Sequence, residues 1–405
     1  MVGLGGPEVG IRTPAFRFLL GAWTVSSVGD GVRAAALPLF TAVSTRDPLA
    51  VSAVAVATVL PWLLIALPAG AMVDRWRSRN TLISAHVFRC AVTLLLAGLV
   101  HTGDAGVPVL LGCAFLLSTA ETFADSAGQT LLVSSAGPTD LERANGRFVS
   151  TETAGVEIAG PLGAAALFAW HPALCFAATA LALGIAASLV AAVPRRTERA
   201  PQRGTGSLRA EVLDGVRFLV RNPPLRAVVG VVGLTALLTS GVNAVAFLYA
   251  IESLGLPAAS VPTLLVCTAI GTLSAVPAAS ALSQRLGNGA VMVGALLVLA
   301  IGMALLGAFD APAAAWGAYF VMGLGAGAWN VLSAANRQRL TPRPMMGRVT
   351  SAHRVLAWGL MPLGAGIAGP IAETSSLRTV ILGASVLTAA IALAATPRLL
   401  RLNRA

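Results

Sequence analysis

Carboxylates and guanidinium groups stand in stretches of this chain that are otherwise apolar, and their spacing suits the movement of protons and cations. In the first apolar stretch Ser26, Ser27, Asp30 and Arg33 recur at helical spacing, and the opposite charges three residues apart can pair. Ser118, Glu121, Thr122, Asp125 and Gln129 repeat the device on one face of a later stretch. Two acids one turn apart repel unless one takes up a proton, which is the event a proton-coupled carrier uses. Asp30, Glu121 and Asp125 are therefore the candidate proton and substrate groups. A purely structural alternative pairs Asp30 with Arg33, and Asp125 with Arg89 of the stretch between them. Glu152 reads as a solvated helix start, whereas Glu157 lies deeper and is a further coupling candidate. Five such acids against two arginines leave a formal excess of three negative charges, which favours protons and cationic or amphipathic cargo over anions. In the second half Asn243, Trp329 and Asn330 are the polar and aromatic groups best placed to line a cavity, or else to join helices through hydrogen bonds.

The elements that must position these groups follow from composition. The 405 residues are 56% hydrophobic and only 11% charged, with a mean hydropathy of +0.80, whereas soluble domains carry roughly a quarter charged residues. Many apolar runs approach the ~20 residues that cross a ~30 Å hydrocarbon layer as a helix. A β-barrel would need strands of ~10 residues with alternating polarity. A mid-membrane charge costs roughly 2.5–3.5 kcal/mol, so Asp30, Arg33, Arg89, Glu121 and Asp125 should face a partner or a wet cavity.

Polar turn signals divide the chain into segments 16–43, 49–73, 80–101, 107–134, 146–169, 172–194, 225–251, 258–282, 289–309, 312–335, 349–372 and 377–396. The expected fold class is an all-α polytopic membrane protein, with twelve transmembrane helices in two pseudo-symmetric six-helix bundles. The bundles are placed at 1–194 and 227–405, with a linker at 195–226. In the linker Leu208, Val212, Val216, Leu219 and Val220 share one face, opposite Arg209, Asp214, Arg217 and Arg221. This pattern predicts a short helix lying along the membrane surface and stopped by Pro223-Pro224.

Lysine is absent, and all but four of the 28 arginines fall in one alternate set of loops and termini. Arg46 and Arg378 fall in the other set, and Arg33 and Arg89 lie inside spans. Positive loops are retained in the cytoplasm, so both termini and the linker are expected there, in a cell membrane. The net charge of +11 therefore reports topology and lipid contact, and no nucleic-acid partner is expected. Cys90, Cys113, Cys175 and Cys267 each stand alone in apolar segments, and the four histidines are scattered, so no metal or cofactor site is predicted. The first apolar stretch, interrupted by Asp30 and Arg33 and followed by no small-residue cleavage signal, reads as a retained span.

The halves repeat. Gly146-Arg147-x-x-Ser150 with Pro161-Leu162-Gly163-Ala164 recurs 201 residues later as Gly347-Arg348-x-x-Ser351 with Pro362-Leu363-Gly364-Ala365. Duplicated halves of this kind place a binding site at their interface near mid-membrane. Gly323, Gly325 and Gly327 of the tenth segment permit close packing and are no nucleotide loop.

The stretch Gly70-Ala-Met-Val-Asp74-Arg75-Trp-Arg-Ser-Arg79 resembles the G-x-x-x-D-R-x-x-x-R loop motif of the major facilitator superfamily. Gly29-Asp30-Gly31, Asp214 to Arg226, and Arg339-Leu-x-Pro followed by Gly347-Arg348 are similar to its macrolide-efflux and siderophore-exporter branch. The resemblance extends over essentially the whole chain. It implies alternating access driven by proton antiport, with segments 1, 4, 7 and 10 lining the cavity. It also implies an intracellular latch: Gly70 lets helices approach, Asp74 accepts from a helix N-terminus of the opposite bundle, and Arg75 and Arg79 bridge carboxylates or headgroups. Gly160, Pro161 and Gly163 look like the antiporter signature of the fifth helix.

The expected function is proton-coupled export of a small amphipathic or cationic compound, such as an antibiotic, drug or siderophore-like metabolite, by a monomer whose partners are substrate, protons and membrane lipid. The alternatives are an uptake carrier of the same fold, or a receptor or scaffold. No nucleophile motif or phosphate loop points to an enzyme or an ATP-driven pump.

Overall fold

A computed structural model describes residues 10–73, 75–194, 208–342 and 345–401. Lipid offers the backbone no hydrogen-bond partners, so each segment closes its own as a helix. No strand occurs among the described residues. The helices are α1 (Pro14–Thr45), α2 (Pro48–Leu64), α3 (Ala66–Val73), α4 (Ser78–Thr102), α5 (Val107–Glu152), α6 (Gly160–Trp170) and α7 (Pro172–Ala192). After the linker come α8 (Leu208–Arg221), α9 (Pro223–Glu252), α10 (Thr263–Leu286), α11 (Asn288–Ala308), α12 (Pro312–Leu340), α13 (Met346–Trp358), α14 (Met361–Thr374) and α15 (Leu377–Leu400).

Ten of these stretches are long and apolar enough to cross a membrane. The 32-residue α1 and the broken pair α2–α3 supply the other two of the twelve segments read from the sequence. Breaks fall where the chemistry demands them. Inside α5, Gly137 adopts φ 71° and ψ 169°, a conformation closed to side-chain-bearing residues, so the fourth and fifth spans meet there without a loop. Between α5 and α6, residues Thr153–Ala159 form a π-helical turn. Pro161 has no N–H to give to the carbonyl of residue 157, and its ring crowds that carbonyl, which widens the turn.

The chain divides into two compact units, Met1–Leu37 with Leu60–Thr205, and Pro38–Val59 with Gly206–Ala405. The division differs from the sequence reading at residues 38–59, which group with the second unit. Gly369 of α14 explains the grouping, since a Cβ there would meet Ser52 Cβ at 2.9 Å and the Pro48 carbonyl oxygen at 3.0 Å.

In the first unit Phe16, Leu19, Leu82, Leu131, Phe148 and Val190 form a buried core drawn from α1, α4, α5 and α7. In the second unit Val228, Met292, Leu296, Trp329, Leu332 and Leu399 do the same for α9, α11, α12 and α15. The linker helix α8 forms over Leu208–Arg221, and part of its apolar face packs on protein. Leu219 is buried with Leu225, Val229, Val349 and Ala352, and Val216 packs on the same cluster. Asp214 also meets Arg348 at 3.4 Å and Arg217 at 3.5 Å. Apolar surface on α8 therefore covers α9 and α13. The side chains of Leu208 and Val212 lie outside the described residues.

Candidate functional site

The charges of the first unit gather into a ring contributed by three helices. On α1, Asp30 and Arg33 lie one turn apart. Arg33 Nη2 donates to Glu121 Oε2 of α5 at 2.6 Å, and its Nε lies 3.9 Å from Asp30 Oδ1. From α4, Arg89 Nη2 donates to Asp30 Oδ1 and lies 4.0 Å from Glu121 Oε2. Two guanidinium groups and two carboxylates thus alternate, formally neutral.

The two signs differ in access. The side chains of Arg33 and Arg89 are 4% and 2% exposed, those of Asp30 and Glu121 16% and 24%. The arginines are sealed among helices while the carboxylates edge onto open space. The Asp30–Arg33 pair expected from the sequence is present at 3.9 Å, and closer pairs join each of the two to another helix. Asp30 takes Arg89 as its close partner, and Arg33 takes Glu121. Arg89 is held by Asp30 and Glu121 where Asp125 was expected. Each charge seeks the nearest opposite charge across the helix interface, which sequence spacing along one helix does not reveal.

Asp125 is half-buried one turn beyond Glu121. Glu152 and Glu157 are exposed on the π-turn side. Glu152, read from the sequence as a solvated helix start, lies within electrostatic range of Asp125, Asp30, Glu121 and Glu157. It therefore belongs to the acidic set. Sequence reasoning also passed over His86, buried one turn before Arg89, whose Nδ1 has no hydrogen-bond partner among the described residues. The i, i+3 spacing of His86 and Arg89 on α4 was the available signal.

Glycines set the position of Asp30. A Cβ on the neighbouring Gly31 would meet the carbonyl oxygens of Gly155 and Val156 at 2.7 Å, and a Cβ on Gly160 would strike the Gly31 backbone. A Cβ on Gly163 would lie 3.3 Å from Val32 Cγ2. The Gly160-Pro161-x-Gly163 sequence therefore widens one helix and presses it against α1 beside the acid. On the other side of α1 the Thr179 hydroxyl donates to the Gly29 carbonyl at 3.0 Å. The second unit repeats the crossing between α9 and α14, where a Cβ on Gly241 would meet the Gly364 carbonyl oxygen at 3.0 Å.

The described part of the loop motif makes contacts within the first unit. Asp74 lies outside the described residues. A Cβ on Gly70 would meet no atom of the described residues within 4 Å. Arg75 is exposed, and Trp76 stacks on Phe123 with centroids 6.1 Å apart. Arg79 is buried and donates from Nε to the Val193 carbonyl at 2.8 Å and from Nη2 to the Ala191 carbonyl. A helix end leaves its last carbonyls unpaired and partly negative, which attracts a cation. Arg79 thus ties α4 to the end of α7.

In the second half, Asn243 and Asn330 are exposed on α9 and α12. Trp329 is corrected to a core residue, packed with Val228, Met292 and Leu296. Its indole nitrogen has no partner among the described residues. Gly323, Gly325 and Gly327 face the backbones of Thr268, Leu299 and Thr272, as close packing requires. Among the described residues no group of three or more His, Cys, Asp or Glu side chains is arranged to hold a metal ion.

Residues 19–366 match the profile of the major facilitator superfamily. The chain belongs to that superfamily. This superfamily member is 27% identical over 395 residues to the multidrug efflux pump Tap of Mycolicibacterium fortuitum, covering 93% of each chain. Its fold is similar to the crystal structure of the nucleoside transporter NupG, with TM-score 0.75, 13% identity and coverage of 94% of this chain and 98% of that one. It is also similar to a bacterial homologue of the iron transporter ferroportin, with TM-score 0.73, 17% identity and coverage of 95% and 98%. At such identities these two structures speak for the fold alone. The protein is a multi-pass membrane transporter of the major facilitator superfamily, not an enzyme.

Proposed function

We propose that this transporter exports a small cationic or amphipathic compound in exchange for protons, from the cytoplasm across the cell membrane. The observation that carries the reading is the unequal access within the ring: Asp30 and Glu121 reach open space while their arginines are sealed. A carboxylate in that position can trade its arginine for a proton or for a cationic cargo, so the two compete for one group. Asp125, Glu152 and Glu157 extend the acidic surface beside it. The kinship with a multidrug efflux pump supports the outward direction and the drug-like cargo. Arg75, Asp74 and Gly70 retain their proposed place in an intracellular latch, with Arg79 as its anchor on α7.

The test uses everted vesicles from cells producing the full chain, energised by respiration. Ethidium and a panel of macrolides, tetracyclines and iron chelators serve as probes. At least one should accumulate, and an uncoupler should collapse the gradient of that compound. Asp30→Asn should abolish the coupled flux while the protein still inserts into the membrane and elutes as a single folded species in gel filtration, although its melting temperature falls because Arg89 loses its closest anion. Undiminished flux in Asp30→Asn, or accumulation indifferent to the uncoupler, overturns the reading. Accumulation confined to right-side-out vesicles would assign the opposite direction.

A further inference from the structure

A groove of about 690 Å³ runs between the start of α9 and the end of α15, within the second unit. Three arginines line it, Arg226, Arg398 and Arg401, and among the described residues no carboxylate does. None of the three forms an ion pair among the described residues, and all three are exposed. Arg226 donates one long hydrogen bond, 3.3 Å, to the Val220 carbonyl.

Below the arginines the lining changes in the same order on both helices. On α9, Arg226 is followed at i+4 by Gly230 and at i+8 by Leu234, which is 47% exposed. The helix α15 runs the opposite way, so that Arg398 is preceded at i−4 by Ala394 and at i−7 by Ile391. Eight residues of helix span roughly 12 Å. A cationic mouth at the helix ends thus opens onto a small-residue floor and then an apolar track. A Cβ at Gly230 would meet no atom within 4 Å, so the glycine leaves this floor empty.

We infer that this groove binds an anionic phospholipid, its phosphate under the three guanidinium groups and the upper part of an acyl chain along Gly230 and Leu234. The charge order decides the occupant. A soluble anion would use the arginines and leave the apolar track bare, and an apolar segment of protein would leave the cations unmatched. A two-part ligand with negative head and hydrocarbon tail satisfies both, and basic pockets between helix ends are where such headgroups sit. The site is remote from Asp30 and its ring in the sequence and in a separate compact unit, so it stands or falls independently of the transport reading.

The test is native mass spectrometry of the full chain in mild detergent, with palmitoyl-oleoyl phosphatidylglycerol or phosphatidylcholine at equal concentration. Phosphatidylglycerol should be retained preferentially. Each arginine lost should weaken its retention roughly fivefold, so Arg398→Gln/Arg401→Gln should weaken it about 25-fold. Gly230→Leu, which keeps every charge and fills the track, should also lose the lipid. Melting temperature and gel filtration identify a misfolded variant, and in that case Arg401→Gln alone, at an exposed helix end, should still show the fivefold loss. Equal retention of the two lipids, or wild-type retention by Gly230→Leu, overturns the proposal. Complete displacement by millimolar inorganic phosphate overturns it in favour of a free-anion site.

Discussion

Removing one member of the ring made by Asp30, Arg33, Arg89 and Glu121 should cost more than removing a matched pair. Glu121→Gln leaves Arg33, nearly sealed, without its closest anion, and losing one partner of a buried pair costs roughly 3–5 kcal/mol. Because 24% of the Glu121 side chain is exposed, water offsets part of this, and a loss on the order of 2–3 kcal/mol is expected. Arg33→Gln/Glu121→Gln, which removes both charges, should recover most of that loss, as measured by thermal unfolding in detergent. A double variant as unstable as the single one would show that Arg33 and Glu121 act independently. The membership of Asp30 and Glu121 was legible in the sequence because a charge within an apolar run is costly unless it has a use. The pairing was not legible. Arg89 and Asp30 are 59 positions apart and meet only because α1 and α4 pack, and Trp329, which has both an apolar body and a polar tip, fits a core as well as a cavity wall.

At the scale of elements, the contact of α1 with the π-helical turn has no slack. Gly31→Ala would place a methyl group 2.7 Å from two carbonyl oxygens, so the helices must part, at a cost of about 1–3 kcal/mol typical of overpacking. Gly70→Ala, whose Cβ would meet no atom of the described residues within 4 Å, should change stability by less than about 0.5 kcal/mol. Paired unfolding measurements on these two variants check both statements, and a larger loss at Gly70 would contradict the packing described. Helix positions were readable from apolar runs and turn residues. The π-helical turn was foreshadowed only by Pro161, and the partner of α8 not at all, because an amphipathic face looks the same whether it meets lipid or protein.

For the whole molecule, the orientation expected from the distribution of arginine is open to test by labelling. With the four native cysteines replaced, Asp104→Cys in the exposed turn between α4 and α5 should react with a membrane-impermeant maleimide in intact cells. Arg143→Cys, also exposed, should react only after permeabilisation. The reverse pattern would invert the topology. Twelve segments and the internal repeat were legible because lipid enforces a minimum helix length and duplication leaves matched glycines. The grouping of residues 38–59 with the second unit was not, since it depends on Gly369 accepting Ser52 across more than 300 residues of chain.

The neutral ring has one more implication if Asp30 and Glu121 receive cargo as proposed. An incoming cation finds no vacancy and must evict a guanidinium carried by the same polypeptide, a tethered rival at an effective concentration of about millimolar or higher. Cargo is then chosen by its ability to outbid that resident, its apparent affinity is held modest, and its departure is hastened by the rival's return.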